Sequence, residues 1–239
     1  MSSAGVMRLG WCGTISVDKR ANVITCNLDG VERVLCIGAH SDDIEIGCGG
    51  TIFSLSRRSR RTEFYWLVLC SNPERAKEAQ LSANTFLKAA PYKTIVVKTF
   101  RDGFLPYTGA PVKESFEDLK KSFLPDVIFT HFRHDLHQDH RLVCELTWNT
   151  FRDHLILEYE IPKYDADLRS PNCFVPLSDS VASRKVKCLM RFFGTQRNKQ
   201  WFSQDLFFGL MRLRAIEAAS PTRYAEAFYC RKLLLGCIE

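Results

Sequence analysis

Two short clusters carry most of the chemistry open to this 239-residue chain: His40-Ser41-Asp42-Asp43 and, far downstream, His137-Gln138-Asp139-His140. Neutral imidazole and ionised carboxylate are ligands for a divalent cation, and a catalytic zinc site typically takes three of them and keeps one position for water. His40 and Asp43 stand three residues apart in a turn that leads into a helix, a spacing that lets both reach one ion, and His140 would close the set. Asp42 would then face the water, and a histidine is left over for proton transfer. No thiolate is placed to join them, which suits a zinc hydrolase and leaves other divalent metals open. Each residue also has a plainer reading: Asp42 or Asp43 could cap the following helix, and a histidine after a strand is commonly a core or capping residue. Two acid–histidine clusters at strand ends are harder to produce by capping alone.

The elements that must position these residues follow from hydrophobic pattern. Residues 34–39 form an unbroken apolar run ending at His40, as in a parallel strand covered on both faces. A helix over 49–60, a strand over 63–70, a helix over 75–89, a strand over 93–98, a helix over 113–123 and a strand over 127–130 are expected next. This alternation predicts an α/β fold: a doubly wound, mostly parallel sheet with helices on both faces and right-handed crossovers. Ligands of such sheets bind beyond the carboxyl ends of the strands. Both clusters fall just after strands, so they converge on one edge. Further on, strands are expected over 156–162 and 223–230, and helices over 183–193 and 204–218. No linker or repeat divides the chain, which reads as a single domain over 1–239 with 1–29 as an N-terminal strand or hairpin extension.

Composition narrows the setting. Hydrophobic residues make up 46% and charged residues 25%, ordinary values for a globular protein. No apolar run approaches the ~20 residues of a membrane-spanning helix, and residues 1–14 lack a secretory apolar core, so no stable membrane insertion is expected. The ten cysteines form no Cys-x-x-Cys pair and several lie in apolar runs, which argues against disulfides and for a cytoplasmic location. The net charge of +6 leans towards an anionic partner, such as a nucleotide-linked or phosphorylated substrate or a membrane surface. Basic residues do not interleave with aromatics, so no nucleic acid is expected. Residues 184–199 mix Lys and Arg with Leu189, Met190, Phe192 and Phe193; packing of their apolar side into the core is preferred to contact with a membrane.

The segment LCIGAHSDDIEIGCGGT resembles the first signature of the PIG-L/LmbE-like family of zinc-dependent N-deacetylases, and THFRHDLHQDHR resembles its second. Arg75-Ala-Lys-Glu78, Arg101-Asp102-Gly103 and Tyr224-Ala-Glu-Ala-Phe228 are weaker matches, so that the resemblance spans about residues 31–228. It implies His40, Asp43 and His140 as zinc ligands, Asp42 as general base, and His137 as proton donor or oxyanion partner oriented by Asp139. Arg75 and Asp102 match positions that bind sugar hydroxyls. The implied fold is Rossmann-like, and the implied substrate is an N-acetylglucosamine-type conjugate whose carrier is left open, as is the oligomeric state. Ser41 stands where the family commonly has Pro, which should loosen that turn slightly. Asp135 stands where some members carry an oxyanion-stabilising Tyr. His137 is expected as imidazolium beside Asp139. Two other readings compete. Gly47-Cys48-Gly49-Gly50 after a strand suggests binding of NAD or S-adenosylmethionine, although the full G-x-G-x-x-G pattern and its acidic residue are missing. A metal-binding scaffold without catalysis is the other.

Overall fold

A short antiparallel pair, β1 (Ile15–Val17) and β2 (Ile24–Cys26), precedes the α/β alternation. The computed structural model describes residues 15–17, 24–26, 28 and 30–234. The remaining elements are β3 (Arg33–Gly38), α1 (Asp43–Arg58), β4 (Glu63–Cys70), α2 (Pro73–Phe86), β5 (Tyr92–Phe100), α3 (Gly109–Ser122), β6 (Val127–His131), α4 (Gln138–Thr150), β7 (Leu155–Tyr159), β8 (Cys173–Leu177), α5 (Asp179–Phe192), α6 (Gln204–Glu217) and β9 (Tyr224–Cys230). The main sheet runs β5-β4-β3-β6-β7-β9-β8. Strands β3 to β7 are parallel, and β9 pairs antiparallel with both β7 and β8. This is the mostly parallel α/β sheet expected from the alternation.

Period-two alternation divides each strand between two cores. From β3, Val34 and Cys36 face a core shared with α1, α2, α5 and α6, whereas Leu35 and Ile37 face one shared with α3 and α4. Helices thus cover both faces, and the central strands are apolar on both sides. The chain winds outward from β3 through β4 to β5, then crosses back to β6 on the other side of β3. The strand order reverses between β3 and β6, where open α/β sheets leave a crevice for ligands.

Helix α1 begins at Asp43, six residues before the expected start, because the glycines that read as a break lie inside it. They are required by close packing: a Cβ on Gly47 would stand 2.1 Å from the Tyr159 ring, and one on Gly49 2.8 Å from that of Phe86. The space over these glycines is filled by protein, which removes the ground for a dinucleotide loop. The helix is kinked at Cys48, where φ is −138°. The buried Glu226 carboxylate restarts it, accepting hydrogen bonds from the backbone N–H groups of Gly50 and Thr51, both at 2.7 Å, and from the Thr51 hydroxyl at 2.6 Å. Lys185 of α5 neutralises Glu226 at 2.6 Å and donates to the Ile46 carbonyl, also at 2.6 Å. Residues 184–199 accordingly belong in part to the core: Lys185, Cys188, Leu189 and Phe193 are buried. All eight described cysteines are free thiols. No helix among the described residues is long and apolar enough to cross a membrane. Strand β8 is an addition to the elements expected from sequence; its Pro176 and Asn172 flank reads as loop, and its place at the sheet edge is where Pro is tolerated.

Candidate metal centre

Four segments deliver the site to the β3/β6 crevice. His40 and Ser41 form the turn leaving β3, Asp42 is the N-cap position of α1, and Asp43 is its first residue. His137 caps α4, and Asp139 and His140 lie in its first turn. Asn72 accepts from the Arg75 N–H at 2.9 Å and so starts α2, which brings Arg75 to the same rim. A short turn after β5 carries Asp102 and Gly103 in, with Gly103 at φ +81°, a conformation glycine adopts without strain.

His40 Nδ1 lies 3.1 Å from His140 Nε2 and 3.3 Å from Asp43 Oδ2, and His140 Nε2 lies 3.5 Å from the same Oδ2. Tetrahedral zinc with bonds of about 2.0–2.1 Å sets ligand atoms about 3.3 Å apart. The three donors therefore have the spacing a small divalent cation needs, with Asp43 Oδ2 also accepting the His40 backbone N–H at 2.6 Å. The remaining nitrogen of each imidazole meets a carboxylate: His40 Nε2 faces Asp102 Oδ1 at 3.0 Å and Asp139 Oδ2 at 3.2 Å, and His140 Nδ1 faces Asp135 Oδ2 at 2.9 Å. Carboxylates of this kind fix which nitrogen carries the proton and raise the basicity of the other.

Electrostatics point the same way. Five carboxylates (Asp42, Asp43, Asp102, Asp135 and Asp139) surround the point, against the cations of Arg75 and Lys163. Burial works to lower the His40 pKa, yet the charge of Asp43 and the hydrogen bonds to Asp102 and Asp139 outweigh it and raise it well above 6.5. His140 goes the other way, to about 3, through burial first and the neighbouring His131 second. Burial resists ionisation of Asp43, but His140, His131 and His40 hold its carboxyl well below the usual range. A dication would answer the same negative excess that pulls a proton onto His40.

Three overlapping triads are also geometrically open, each with donors within 4.8 Å of one another. The first joins His137 to His40 and His140; His137 Nδ1 accepts the Asp139 N–H at 3.2 Å, which leaves Nε2 as its free donor. The second brings together His40, Cys70 and Asp139. Burial, however, pushes the Cys70 thiol up to about 12, and Asp139 already accepts the N–H groups of Gly103 at 2.7 Å and Leu105 at 3.1 Å. In the third, His131 joins Asp43 and His140. His131 Nε2 accepts the Ala39 N–H at 2.9 Å, so its lone pair is engaged. Stacked on His140 with centroids 3.9 Å apart, His131 supports the centre from beneath.

Asp42 is buried, and its Oδ1 receives Arg75 Nη2 at 2.6 Å. Burial raises its carboxyl above the usual range, with Arg75 opposing. Arg75 Nη1 also reaches Asp102 Oδ2 at 3.4 Å, and the Asp102 carboxyl is held down to about 2, chiefly by its hydrogen bond with His40.

The expected geometry of His137 is corrected. The Asp139 carboxylate does not reach its ring; only the Asp139 backbone N–H does, donating to His137 Nδ1 at 3.2 Å. Asp139 is drawn instead to the two loop N–H groups and His40. With Nδ1 accepting, His137 is a neutral ring carrying its proton on Nε2, and burial together with the charge of His40 lowers its pKa. Its ring lies 4.8 Å from His40 and 4.6 Å from His140, centroid to centroid.

Sequence reasoning missed the work of Asp135. Its Oδ2 takes His140 Nδ1 and lies 3.0 Å from Lys163 Nζ, while its Oδ1 accepts the His137 N–H at 2.8 Å. Lys163 also pairs with Asp167, which accepts the Leu136 N–H at 2.8 Å. The only sequence signal was an acidic residue in a His-rich loop; Lys163, from the segment after β7, gave none.

The fold is thus an α/β sheet that gathers His40, Asp43 and His140, a candidate His₂Asp site, at its topological switch point. Residues 35–151 match the model of the PIG-L family, described as GlcNAc-PI de-N-acetylase. Similar solved structures include the N,N'-diacetylchitobiose deacetylase of Pyrococcus horikoshii, 22% identical over 83% of both chains with a TM-score of 0.65. A conserved protein of Thermus thermophilus is 17% identical over 87% of this chain and 97% of that one, at 0.67. GalB, the 4-carboxy-2-hydroxymuconate hydratase of Pseudomonas putida, is 13% identical over 87% and 99%, at 0.69. At these identities the structural likeness establishes the fold.

Proposed function

We propose that the chain is a metal-dependent hydrolase that removes the acetyl group from the amino sugar of an N-acetylglucosamine-type conjugate. The match of residues 35–151 to a de-N-acetylase family supports amide hydrolysis. The observation that carries the reading is the meeting of His40, Asp43 and His140 with donors 3.1–3.5 Å apart beside the acid Asp42, which Arg75 holds through Oδ1. Those three residues would hold the cation, with zinc the best match to the donor set; when bound, it supplies a water made acidic near neutral pH and a polarised amide carbonyl.

The chain's own residues account for the rest. Asp42, fixed through Oδ1 by Arg75, accepts the water proton on Oδ2. The same carboxyl then returns the proton to the departing amine. The Nε2–H of His137 donates to the oxyanion that develops on the acetyl carbonyl. Arg75 and Asp102 face sugar hydroxyls; Asp102 is the exposed member, its side chain 59% accessible at the mouth. The hydratase among the structural neighbours defines the second reading, water addition to a carbon–carbon double bond.

The test is zinc-loaded protein incubated with N-acetylglucosamine conjugates, following acetate and free amine together. Equimolar acetate and amine are expected. Folded, fully metallated protein that releases neither from any N-acetylated sugar would reject the hydrolase.

A further inference from the structure

Between α2 and α5 runs a groove of about 810 Å³ whose walls carry Lys88, Arg184, Lys187 and Arg191 and no acidic residue. We infer that this groove is an anion site separate from the metal centre, and that it takes a small molecule bearing two or more phosphate groups. The inference goes beyond the hydrolase reading and does not depend on it.

Charge is the first argument. All four cationic residues are exposed, and none pairs with a carboxylate among the described residues. Arg184 and Arg191 rest on aromatic rings instead, with guanidinium carbons 4.4 Å from the Phe53 centroid and 5.4 Å from that of Phe192. Arg57 reaches the same Phe53 ring at 5.6 Å, so a fifth cation borders the cluster. Like charges gathered without a counter-charge raise the local potential, and a bound anion lowers it. The exposed face of α3 is built differently: Lys113 pairs with Glu117, and Lys121 with Asp118. The basic segment 184–199 thus divides its charge. Lys185 is buried against Glu226, while Arg184, Lys187 and Arg191 line the groove.

Shape is the second. The Glu78 carboxylate of α2 accepts the Thr195 backbone N–H at 2.9 Å and the Thr195 hydroxyl at 2.6 Å, which ties the end of α5 to the beginning of α2. The helices therefore run antiparallel and hold cations on opposite walls. Ser180, Arg184, Lys187 and Arg191 recur at helical spacing along one face of α5, and Lys88 answers them from the end of α2. Ser180 and Ser183 add hydroxyls to the same wall. Guanidinium forks match phosphate oxygens in pairs, and ammonium groups add point charges. The volume falls in the range of small-molecule sites, and a concave surface suits a discrete ligand better than a flat bilayer. Thr85, in the wall, lies about 15 Å along α2 from Arg75 at the rim, so a ligand here need not touch the metal centre.

Calorimetry on the zinc-loaded protein with fructose 1,6-bisphosphate, fructose 6-phosphate and fructose counts the phosphates. The bisphosphate should bind about tenfold more tightly than the monophosphate, as expected for added charge-assisted hydrogen bonds, and fructose should not bind. Lys88→Gln and Arg184→Gln, on opposite walls, should each weaken the bisphosphate about tenfold, with circular dichroism confirming the fold. Lys121→Gln removes the same charge from α3 and should leave binding unchanged, as should removal of the zinc. No binding of the bisphosphate overturns the site, as does equal weakening in all three variants, which would reduce it to net charge. Binding lost with the zinc would place the anion on the metal centre instead. Arg184-dependent sedimentation with phosphatidylserine vesicles, without binding of the bisphosphate, would assign the groove to a membrane surface and also overturn it. Acetate release is a separate readout, and its absence would reject the hydrolase while leaving this site standing.

Discussion

Replacing Asp135 with Asn removes one charge and almost no volume, yet it should cost much of the metal affinity. The carboxylate uses both oxygens as acceptors: Oδ2 for His140 Nδ1 at 2.9 Å and for Lys163, Oδ1 for the His137 N–H at 2.8 Å. An amide has a single acceptor oxygen. If that oxygen faces His140, the amide nitrogen opposes the His137 N–H; if it faces His137, the amide nitrogen opposes both His140 and Lys163. Either way a buried donor is left unmet, at about 1–3 kcal/mol. His140 also loses the carboxylate that keeps its proton on Nδ1 and its lone pair on Nε2. Although burial opposes ionisation of Asp135, the hydrogen bond from His140 and the nearby cations hold its carboxyl well below the usual range, so the charge is present at neutral pH. Loss of such a partner typically weakens a metal about 10–100-fold, or about 1.4–2.8 kcal/mol. Competition for zinc against a chromophoric chelator measures this, with far-ultraviolet circular dichroism to confirm the fold. Zinc affinities of Asp135→Asn and Asp135→Ala within about twofold of wild type would refute the reasoning.

Other substitutions separate the remaining roles. Asp42→Asn should keep full zinc content and lose about 10²–10⁴-fold in kcat; near-normal turnover would remove Asp42 as the base. Glu226→Gln should lower stability by roughly 3 kcal/mol and Tm by roughly 10 °C, because one amide oxygen cannot serve Gly50, Thr51 and Lys185 at once. An unchanged thermal transition would show that the α1 kink does not depend on that carboxylate. Gly47→Ala sets a Cβ 2.1 Å from the Tyr159 ring, which is pinned by its hydroxyl donating to the Ile37 carbonyl at 2.6 Å. Overpacking of this kind costs about 1–3 kcal/mol or more, and chemical denaturation should show it; wild-type stability would mean that the ring can move freely.

Much of the fold was legible because β3, β4 and β6 are buried on both faces and therefore read as continuous apolar runs. Their ends located both clusters, so His40, Asp42, Asp43 and His140 could be put forward from type and spacing, while the part given to His137 came from the family resemblance. The start of α1 was misplaced because its glycines look like helix breakers until the rings of Tyr159 and Phe86, distant in sequence, are seen against them. The partners of the imidazoles were illegible for a related reason. Asp139 is next to His140 in the chain, but its carboxylate belongs to His40 and the 103–105 turn, an arrangement set by how β5 ends. Asp135 and Lys163 act through contacts between two irregular segments, where no periodicity reports which side chains meet. Glu226, left without a role in the sequence reading, turns out to splice the two halves of α1.

The central claim is that His40, Asp43 and His140 together hold one catalytic cation. X-ray absorption at the zinc edge of the reconstituted protein tests it most directly. A single zinc per chain should show only nitrogen and oxygen neighbours, at about 2.0–2.2 Å, with imidazole scattering reduced in His140→Ala. A sulfur shell at about 2.3 Å, which Cys70 would supply, or a spectrum indifferent to both His140→Ala and Asp43→Ala, would contradict it.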